Sequence, residues 1–304
     1  MVRTTHRRSG SCLFPFALAV LVIVFSCACL AVVGFALRQS TGDSSRTNVL
    51  ILGLDRRPEQ GYVARSDVLM LMTVYPPGPL LALLSIPRDL YVHIPRHGRG
   101  RINTAHFWGE SEAEGGGTAL AMETVAKTFD VPVHGYVRLD FDGFRTMVDA
   151  VGGIDVVVEE GIVDDAYPTA DYGTTRIEIP DGPQHMDGET ALRYVRSRHG
   201  SSDFDRAARQ QQVVIALVRR LSGPRGWARL PAVFGVVIDH VDTDLGLGRL
   251  IQLVITVLRV GPDGIEHHVI DREMTRPWTT PTGGAVLLPR WEAIAPLVEE
   301  VFGP

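Results

Sequence analysis

Apolar and polar positions fall into clear blocks along this chain. The first block is one long apolar stretch: after Arg3, Arg7 and Arg8, no charged side chain occurs from Ser9 to Leu37. A helix of that length crosses a bilayer core of roughly 30 Å. Basic residues ahead of it favour a cytoplasmic N-terminus and an exported C-terminal part. Residues 1–10 therefore read as a cytoplasmic tail and 11–37 as a transmembrane signal-anchor, followed by a polar, turn-prone linker at 38–46 and an extracytoplasmic domain at 47–304. A cleaved signal peptide is the competing reading, with Ser26, Cys27 and Ala28 as its small-residue site. The apolar run is longer than the ~7–15 residues of an ordinary signal core.

Beyond the linker the blocks shorten to strand length. Asn48–Leu54, Val68–Tyr75 and Leu80–Ile86 are rich in Val, Ile and Leu and bounded by Gly, Pro or Asp, which predicts three buried strands. Pro76-Pro77-Gly78-Pro79 is a tight reversal that makes the second and third antiparallel neighbours. Helical spacing follows over Thr118–Phe129, behind Gly115–Gly117. Asp140 stands where an N-cap would start a helix over Phe141–Val151, closed by Gly152-Gly153. Ile154–Val158 predicts a strand, Asp187 caps a helix from Gly188, and a long helix runs over Asp203–Leu221. The tail adds a helix at Leu247–Val260, a strand near His267–Ile270 and a final helix at Trp291–Phe302. The fold class is α/β: a mixed central β-sheet flanked by helices in an αβα arrangement.

Composition narrows the chemistry. A net charge of −5 argues against a nucleic-acid surface. Cys12, Cys27 and Cys29 all fall in or beside the apolar span, so the exported part can form neither a disulfide nor a thiolate metal site. Neither Cys27 nor Cys29 has the leucine three residues upstream that a lipoprotein signal shows. The histidines lack HExxH or paired spacing, no Gly-Lys-Ser/Thr follows Gly115–Gly117, and Ser197 and Ser201 lack a nucleophile elbow. The acidic segment Asp239–Asp244 lacks the glycine and glutamate of an EF-hand and reads as a solvated turn.

What remains is a convergence of arginines and aspartates. An up, down, up meander puts the end of the first strand, the start of the second and the end of the third at one sheet edge. That edge receives Asp55, Arg57, Arg65, Asp67, Arg88 and Asp89. A plain surface salt-bridge network is the alternative for such a patch. Further along, Arg196 and Arg198 point the same way if Val195–Arg198 is extended, and like charges side by side call for an anion. Arg206 and Gln210, four apart, share a helix face with Val213, Leu217 and Leu221, while Arg209, Gln212, Arg219 and Arg220 form a separate polar stripe. An arginine at the mouth of an apolar face needs a partner: either Asp203 or Asp205 in a buried ion pair, or a ligand. On this count arginines outnumber the available carboxylates, and guanidinium forks suit a multiply charged oxyanion. Two aspartates without a histidine or cysteine set suit a hard cation such as Mg²⁺ shared with phosphates.

In the same order along the chain stand GLDRR (Gly53–Arg57), ARSDVLML (Ala64–Leu71), SIPRD (Ser85–Asp89), RINTAH (Arg101–His106), DAVGGIDV (Asp149–Val156), HMDGETALRYVRSR (His185–Arg198) and FDRAARQQQ (Phe204–Gln212). With these segments the sequence resembles the LytR-CpsA-Psr family of cell-wall phosphotransferases. The resemblance implies an apolar tunnel for a polyprenyl (pyro)phosphate lipid, with Asp55 and Asp67 holding Mg²⁺, or Mn²⁺ in its place. It implies that Arg65, Arg88, Arg196, Arg198, Arg206 and Gln210 contact the phosphates, the arginines being catalytic. The activity it implies is transfer of a glycopolymer such as wall teichoic acid or capsule from the lipid carrier to peptidoglycan or another wall glycan, on the outer side of the cell membrane. A hydrolase using water at the same site, and a non-catalytic membrane-bound binder or regulator, are the alternatives. The general base stays open, Asp67 qualifying only if it is not committed to metal. After about Pro231 no motif is assignable.

Overall fold

Each of the three apolar runs after the linker becomes a strand: β1 (Thr47–Leu54), β2 (Ser66–Tyr75) and β3 (Leu80–Ser85). In this computed structural model residues 46–303 are described, apart from 57–60, 76–79, 170–172, 198–201, 224–225 and 227. The expected cytoplasmic tail, signal-anchor and all but the last residue of the linker lie outside the described residues. Among the described residues no helix is long and apolar enough to cross a membrane.

A hairpin of β4 (Tyr91–Ile94) and β5 (Gly98–Arg101) comes next, then α1 (Thr104–Glu112), α2 (Gly116–Phe129), β6 (Gly135–Asp140) and α3 (Phe141–Ala150). The middle of the chain forms β7 (Ile154–Val158), β8 (Ile162–Pro168), β9 (Thr174–Ile179), β10 (Gly182–Met186), α4 (Gly188–Arg196) and α5 (Asp203–Ser222). The last third holds α6 (Leu230–His240), β11 (Asp242–Thr243), α7 (Leu247–Val260), β12 (Ile265–Val269), β13 (Thr275–Thr279), β14 (Ala285–Pro289) and α8 (Trp291–Phe302).

Local chemistry sets the helix starts. The Asp140 carboxylate accepts the Gly143 N–H at 2.9 Å to open α3, and Asp187 accepts the Thr190 N–H at 2.8 Å to open α4. Ser202 and Asp205 form a reciprocal capping box at the head of α5. Gly152 and Gly153, at φ 76° and 78°, end the α3 segment in a conformation that side chains with a Cβ rarely adopt.

The main sheet has the order β11-β6-β1-β2-β3-β12. β1, β2 and β3 are antiparallel to one another, whereas β6 runs parallel to β1 and β12 parallel to β3. Both faces are covered. Leu50, Leu52, Leu71 and Leu84 pack against Ala105 of α1, Leu120 and Val125 of α2, and Phe302 of α8. On the other face Val49, Leu81 and Leu83 meet Val218 of α5 and Leu253 of α7. A further cluster, including Val148, Val156, Met186, Leu192 and Val213, ties α3, α4 and α5 to β7 and β10. Burial of each such side chain contributes about 1.5–3 kcal/mol, and the expected αβα layering results.

Candidate active site

Pairing between β1 and β2 slips next to the cluster of charged residues. Gly53 faces Val68 and Leu54 faces Ser66, which leaves Asp67 as the extra residue of a β-bulge. Strict alternation would put Asp67 on the side of Leu69 and Leu71, in the core under α1 and α2. The bulge resets the phase, and Asp67 instead lines a cavity together with Val68 and Met70. Glycine at position 53 is part of this geometry, since a Cβ there would lie 2.8 Å from that of Val68.

Charged groups from distant segments meet Asp67. Arg88, just past β3, donates through Nη1 to Asp67 Oδ1 at 2.7 Å, and its Nε lies 3.6 Å from Asp89 and 3.8 Å from Asp203. Arg101 at the end of β5 holds Asp89 from the other side at 3.1 Å. Arg206, buried in the first turns of α5, binds Asp203 at 2.6 Å. Arg196 at the end of α4 sits 3.5 Å from Asp55, donates to the Tyr167 hydroxyl at 3.3 Å, and lies 4.1 Å over the Phe141 ring. Burial works against the charged form of Arg88, yet the hydrogen bond to Asp67 and the charges of Asp67, Asp203 and Asp89 outweigh it and raise its pKa. Burial raises the Asp89 carboxyl, and Asp203 adds to this, against the pull of Arg88 and Arg101.

This cluster opens onto apolar space. Asp67, Arg196, Arg206 and Gln210 share one cavity of ≈ 180 Å³ with Ile51 and Met70 of the sheet, Phe141 and Phe144 of α3, Leu192 of α4, and Val213, Val214 and Leu217 of α5. The helical spacing of Arg206, Gln210, Val213 and Leu217 produces this wall, polar at the helix start and aliphatic beyond.

The structure thus gathers Asp55, Asp67, Arg88, Arg196, Arg206 and Gln210. Arg65, directly before β2, is exposed and forms no ion pair among the described residues. Arg198 and Arg57 lie outside the described residues. Several expectations need correction. The segment from Val195 is not extended: α4 continues through Arg196 because Ala191, Leu192 and Val195 bury their common face, and Ser197 is the first residue to leave the helix. The arginine excess is smaller than the sequence count, since Arg88, Arg196 and Arg206 each have an aspartate within 4 Å. Arg209, expected on a polar stripe, is buried and donates to the carbonyls of Tyr194 and Ser197 at 2.8 Å each, fixing the corner between α4 and α5. The acidic segment near Asp242 is not a solvated turn: Asp242 binds the buried Arg138 at 2.7 Å and Asp244 accepts the Tyr136 N–H.

Tyr167 and Phe141 also belong to the cluster and were not among the expected site residues, because β8 and α3 reach it only through tertiary packing, while Arg101, the first residue of the RINTAH segment, joins it as the partner of Asp89. Among the described residues no group of three or more His, Cys, Asp or Glu forms a metal-binding set. Asp55 and Asp67 flank the Leu54 and Ser66 ladder pair and offer carboxylate oxygen only. That donor set fits a cation that takes one or two protein carboxylates and completes its shell with phosphate oxygens and water.

Several known proteins are similar to this chain. TagU of Oceanobacillus iheyensis, a polyisoprenyl-teichoic acid–peptidoglycan teichoic acid transferase, is 32% identical over 214 residues, covering 70% of this chain and 63% of the relative. TagT of Bacillus subtilis, of the same description, is 35% identical over 201 residues, covering 65% and 58%. The chain therefore spans about three fifths of the length of these curated relatives. The crystal structure of B. subtilis TagV aligns with a TM-score of 0.69 at 26% identity over 86% of this chain and 98% of that one. A structure of TagT bound to LI-WTA aligns with a TM-score of 0.66 at 25% identity over 85% and 91%. The model of the LytR_cpsA_psr family matches residues 35–284, and the chain belongs to that family.

Proposed function

We propose that this protein is a Mg²⁺-dependent phosphotransferase that moves a glycopolymer from a polyprenyl pyrophosphate carrier to a cell-wall acceptor such as peptidoglycan, at the outer face of the cell membrane. One observation carries the reading: the arginine and aspartate cluster and the apolar cavity share walls, through Asp67, Arg196, Arg206 and Gln210. A polyprenyl pyrophosphate has that same division between an isoprenoid tail needing apolar enclosure and a head needing fixed cations. The buried Nε–H of Arg88 has no hydrogen-bond partner among the described residues, which suits a phosphate oxygen at that point. The names of the curated relatives support a teichoic-acid-type polymer and a peptidoglycan acceptor.

In this reading an acceptor hydroxyl oxygen bonds to the polymer-side phosphorus and gives up its proton to solvent while the bond from that phosphorus to the bridging oxygen breaks, and polyprenyl phosphate leaves with the electron pair of that bond. Arg65 and Arg198 contribute as the family resemblance implies, and Arg88, Arg196 and Arg206 stabilise the charge gathering on the leaving phosphate. Their positions are set in advance by Asp67, Asp55 and Asp203, so little reorganisation is needed. Gln210 donates its amide to a phosphate oxygen, and Asp55 and Asp67 would hold the metal. Mg²⁺, or Mn²⁺, would supply charge neutralisation there when bound.

The test incubates the full chain in detergent with labelled lipid-linked substrate, Mg²⁺ and peptidoglycan fragments. Label attached to glycan is the expected product; label free in water would make the protein a hydrolase, and no product would leave a binding or regulatory role. Asp67→Ala and Arg206→Ala are expected to abolish transfer while near-UV circular dichroism stays native. Wild-type turnover by either variant would remove these assignments.

A further inference from the structure

Away from the cavity, a groove of ≈ 430 Å³ runs between the β4–β5 hairpin, the C-terminal end of α2, the β13–β14 hairpin and the start of α8. Strand alternation builds its floor. Val92 and Ile94 are buried in the core, so Tyr91 and His93 face outward, opposite their partners Arg101 and Arg99 on β5. Arg276 and Trp278, two apart on β13, share a face, and the Trp278 ring sits 5.6 Å from that of Tyr91. Trp291 closes the far end, edge-on to Phe129.

Two properties set the groove apart. Its lining holds Arg99, Lys127 and Arg276 and not one carboxylate, in a chain of net charge −5. Lys127 pairs with Glu123 on the flank of α2, but Arg99 and Arg276 form no ion pair among the described residues. Aromatic faces are left in water as well: Trp278 and Trp291 are 38% and 41% exposed. Isolated exposed apolar residues are ordinary, whereas indoles grouped beside unpaired guanidinium groups mark a binding surface. Sugar rings stack on such indoles through their C–H faces, and guanidinium groups bind phosphates.

The groove also connects to the charged cluster. Arg101, beside Tyr91, binds Asp89, which neighbours Arg88, and a bridge from Leu90 to Leu287 fixes β14 against the same loop. We infer that this groove binds the phosphate-bearing sugar chain of the donor glycopolymer, holding repeats beyond the one that reacts. The inference rests on the proposed transfer reading. A neutral glycan would need the aromatic faces alone; the acid-free basic lining selects a chain with charge in its repeats.

The probe is a lipid-free poly(N-acetylglucosamine 1-phosphate) oligomer, which carries both a sugar ring and a phosphate in each repeat, titrated into the full chain in detergent and followed by calorimetry and tryptophan fluorescence. Arg99→Gln with Arg276→Gln should weaken binding roughly tenfold or more, the equivalent of about 1.4 kcal/mol, with an unchanged melting temperature because both side chains are exposed. Trp278→Ala should weaken it too, and affinity should fall with added salt. Equal affinity of the double variant and the native chain, or equal affinity for a neutral dextran of the same length, overturns the inference. Tighter binding of uncharged peptidoglycan glycan strands would overturn it as well, in favour of an acceptor subsite. Arg219→Gln, on an exposed flank of α5 and outside the groove lining, should bind the probe as the native chain does. If binding responds as expected while no label reaches glycan in the transfer assay, the transfer reading fails and the groove stands. If transfer occurs while the double variant binds normally, the groove alone fails.

Discussion

Asp203→Asn removes a negative charge from the point where two site arginines meet, 2.6 Å from Arg206 and 3.8 Å from Arg88. Taking one partner from a fully buried ion pair costs about 3–5 kcal/mol. The Arg206 side chain is 8% exposed but that of Asp203 is 34% exposed, so solvent screening reduces the expected loss to about 2 kcal/mol. For a domain near this size that is a fall in Tm of roughly 4–8 °C. A bound diphosphate would replace the missing charge. In the native protein it shares Arg206 and Arg88 with Asp203, whereas in the variant it is their incoming anion. Pyrophosphate should therefore bind the variant more tightly. A tenfold gain is about 1.4 kcal/mol, which at saturation makes the pyrophosphate-induced rise in Tm larger in the variant by roughly 3–6 °C. Thermal unfolding of the full chain, with and without pyrophosphate and with chloride matched for ionic strength, measures both quantities. Equal pyrophosphate increments in the two proteins would refute the placement of phosphate at Arg206 and Arg88, and an unchanged Tm without ligand would refute the estimate of the pair's energy.

Burial alone would raise the Asp140 carboxyl, but the Gly143 N–H and the Arg56 guanidinium outweigh it and hold it below its ordinary 3.8. A depressed carboxylate adds stability above its unfolded value and loses it as pH falls toward the folded one. Asp140→Asn should accordingly flatten the decline in urea stability below pH 3.8, and identical acid limbs would contradict this. Val68→Trp, placed at the cavity wall beside Asp67, should weaken binding of a long-chain alkyl diphosphate at least about tenfold and leave inorganic pyrophosphate unaffected; a parallel loss of both in calorimetry would show that tail and head are not held separately. Arg138→Met leaves the buried Glu110 and its partner Asp242 without their shared cation and should cost about 3–5 kcal/mol in chemical denaturation, with a change under 1 kcal/mol as the contrary result.

Much of the scaffold was legible because its signals are local. β1, β2 and β3 are covered on both faces and so read as unbroken aliphatic runs, and α7 and α8 occupy the residues their periodicity indicates. Caps at Asp140 and Asp187 announced α3 and α4 in the same way. Elements that depend on partners stayed hidden. β5 reads Gly-Arg-Gly-Arg and β13 carries Pro277, patterns that favour no strand until β4 and β14 pair with them. α6 is apolar nearly all round and contains Gly235, which blurs its period. In the site, the sheet edge was legible from the meander, but the bulge at Asp67 was not, because one inserted residue leaves no mark on a sequence already rich in Val, Leu and Met. Arg209 failed the amphipathic test for a related reason: carbonyls at the α4 corner satisfy it, and backbone acceptors are invisible to side-chain patterns.

The paired state of the site arginines bears directly on how such a cluster can work. A loose set of cations would bind a diphosphate tightly and then have to reorient as charge moves from the bridge to the leaving phosphate. Here the guanidinium of Arg88 is clamped at Nη1 by Asp67, and Asp89 is itself clamped by Arg101, so the group cannot follow a ligand. Yet Arg88 keeps a buried Nε–H whose nearest carboxylate oxygens, at 3.6 and 3.8 Å, are too distant for a hydrogen bond. A donor that is fixed, desolvated and unsatisfied favours the state of the substrate that brings the most negative oxygen to it, and in phosphoryl transfer that state is the one with the bridging bond already breaking. Under the proposed transfer reading, the aspartates would weaken ground-state binding of the anion and leave the stabilisation for the transition state, which gives carboxylates a place beside the arginines of a site that turns over.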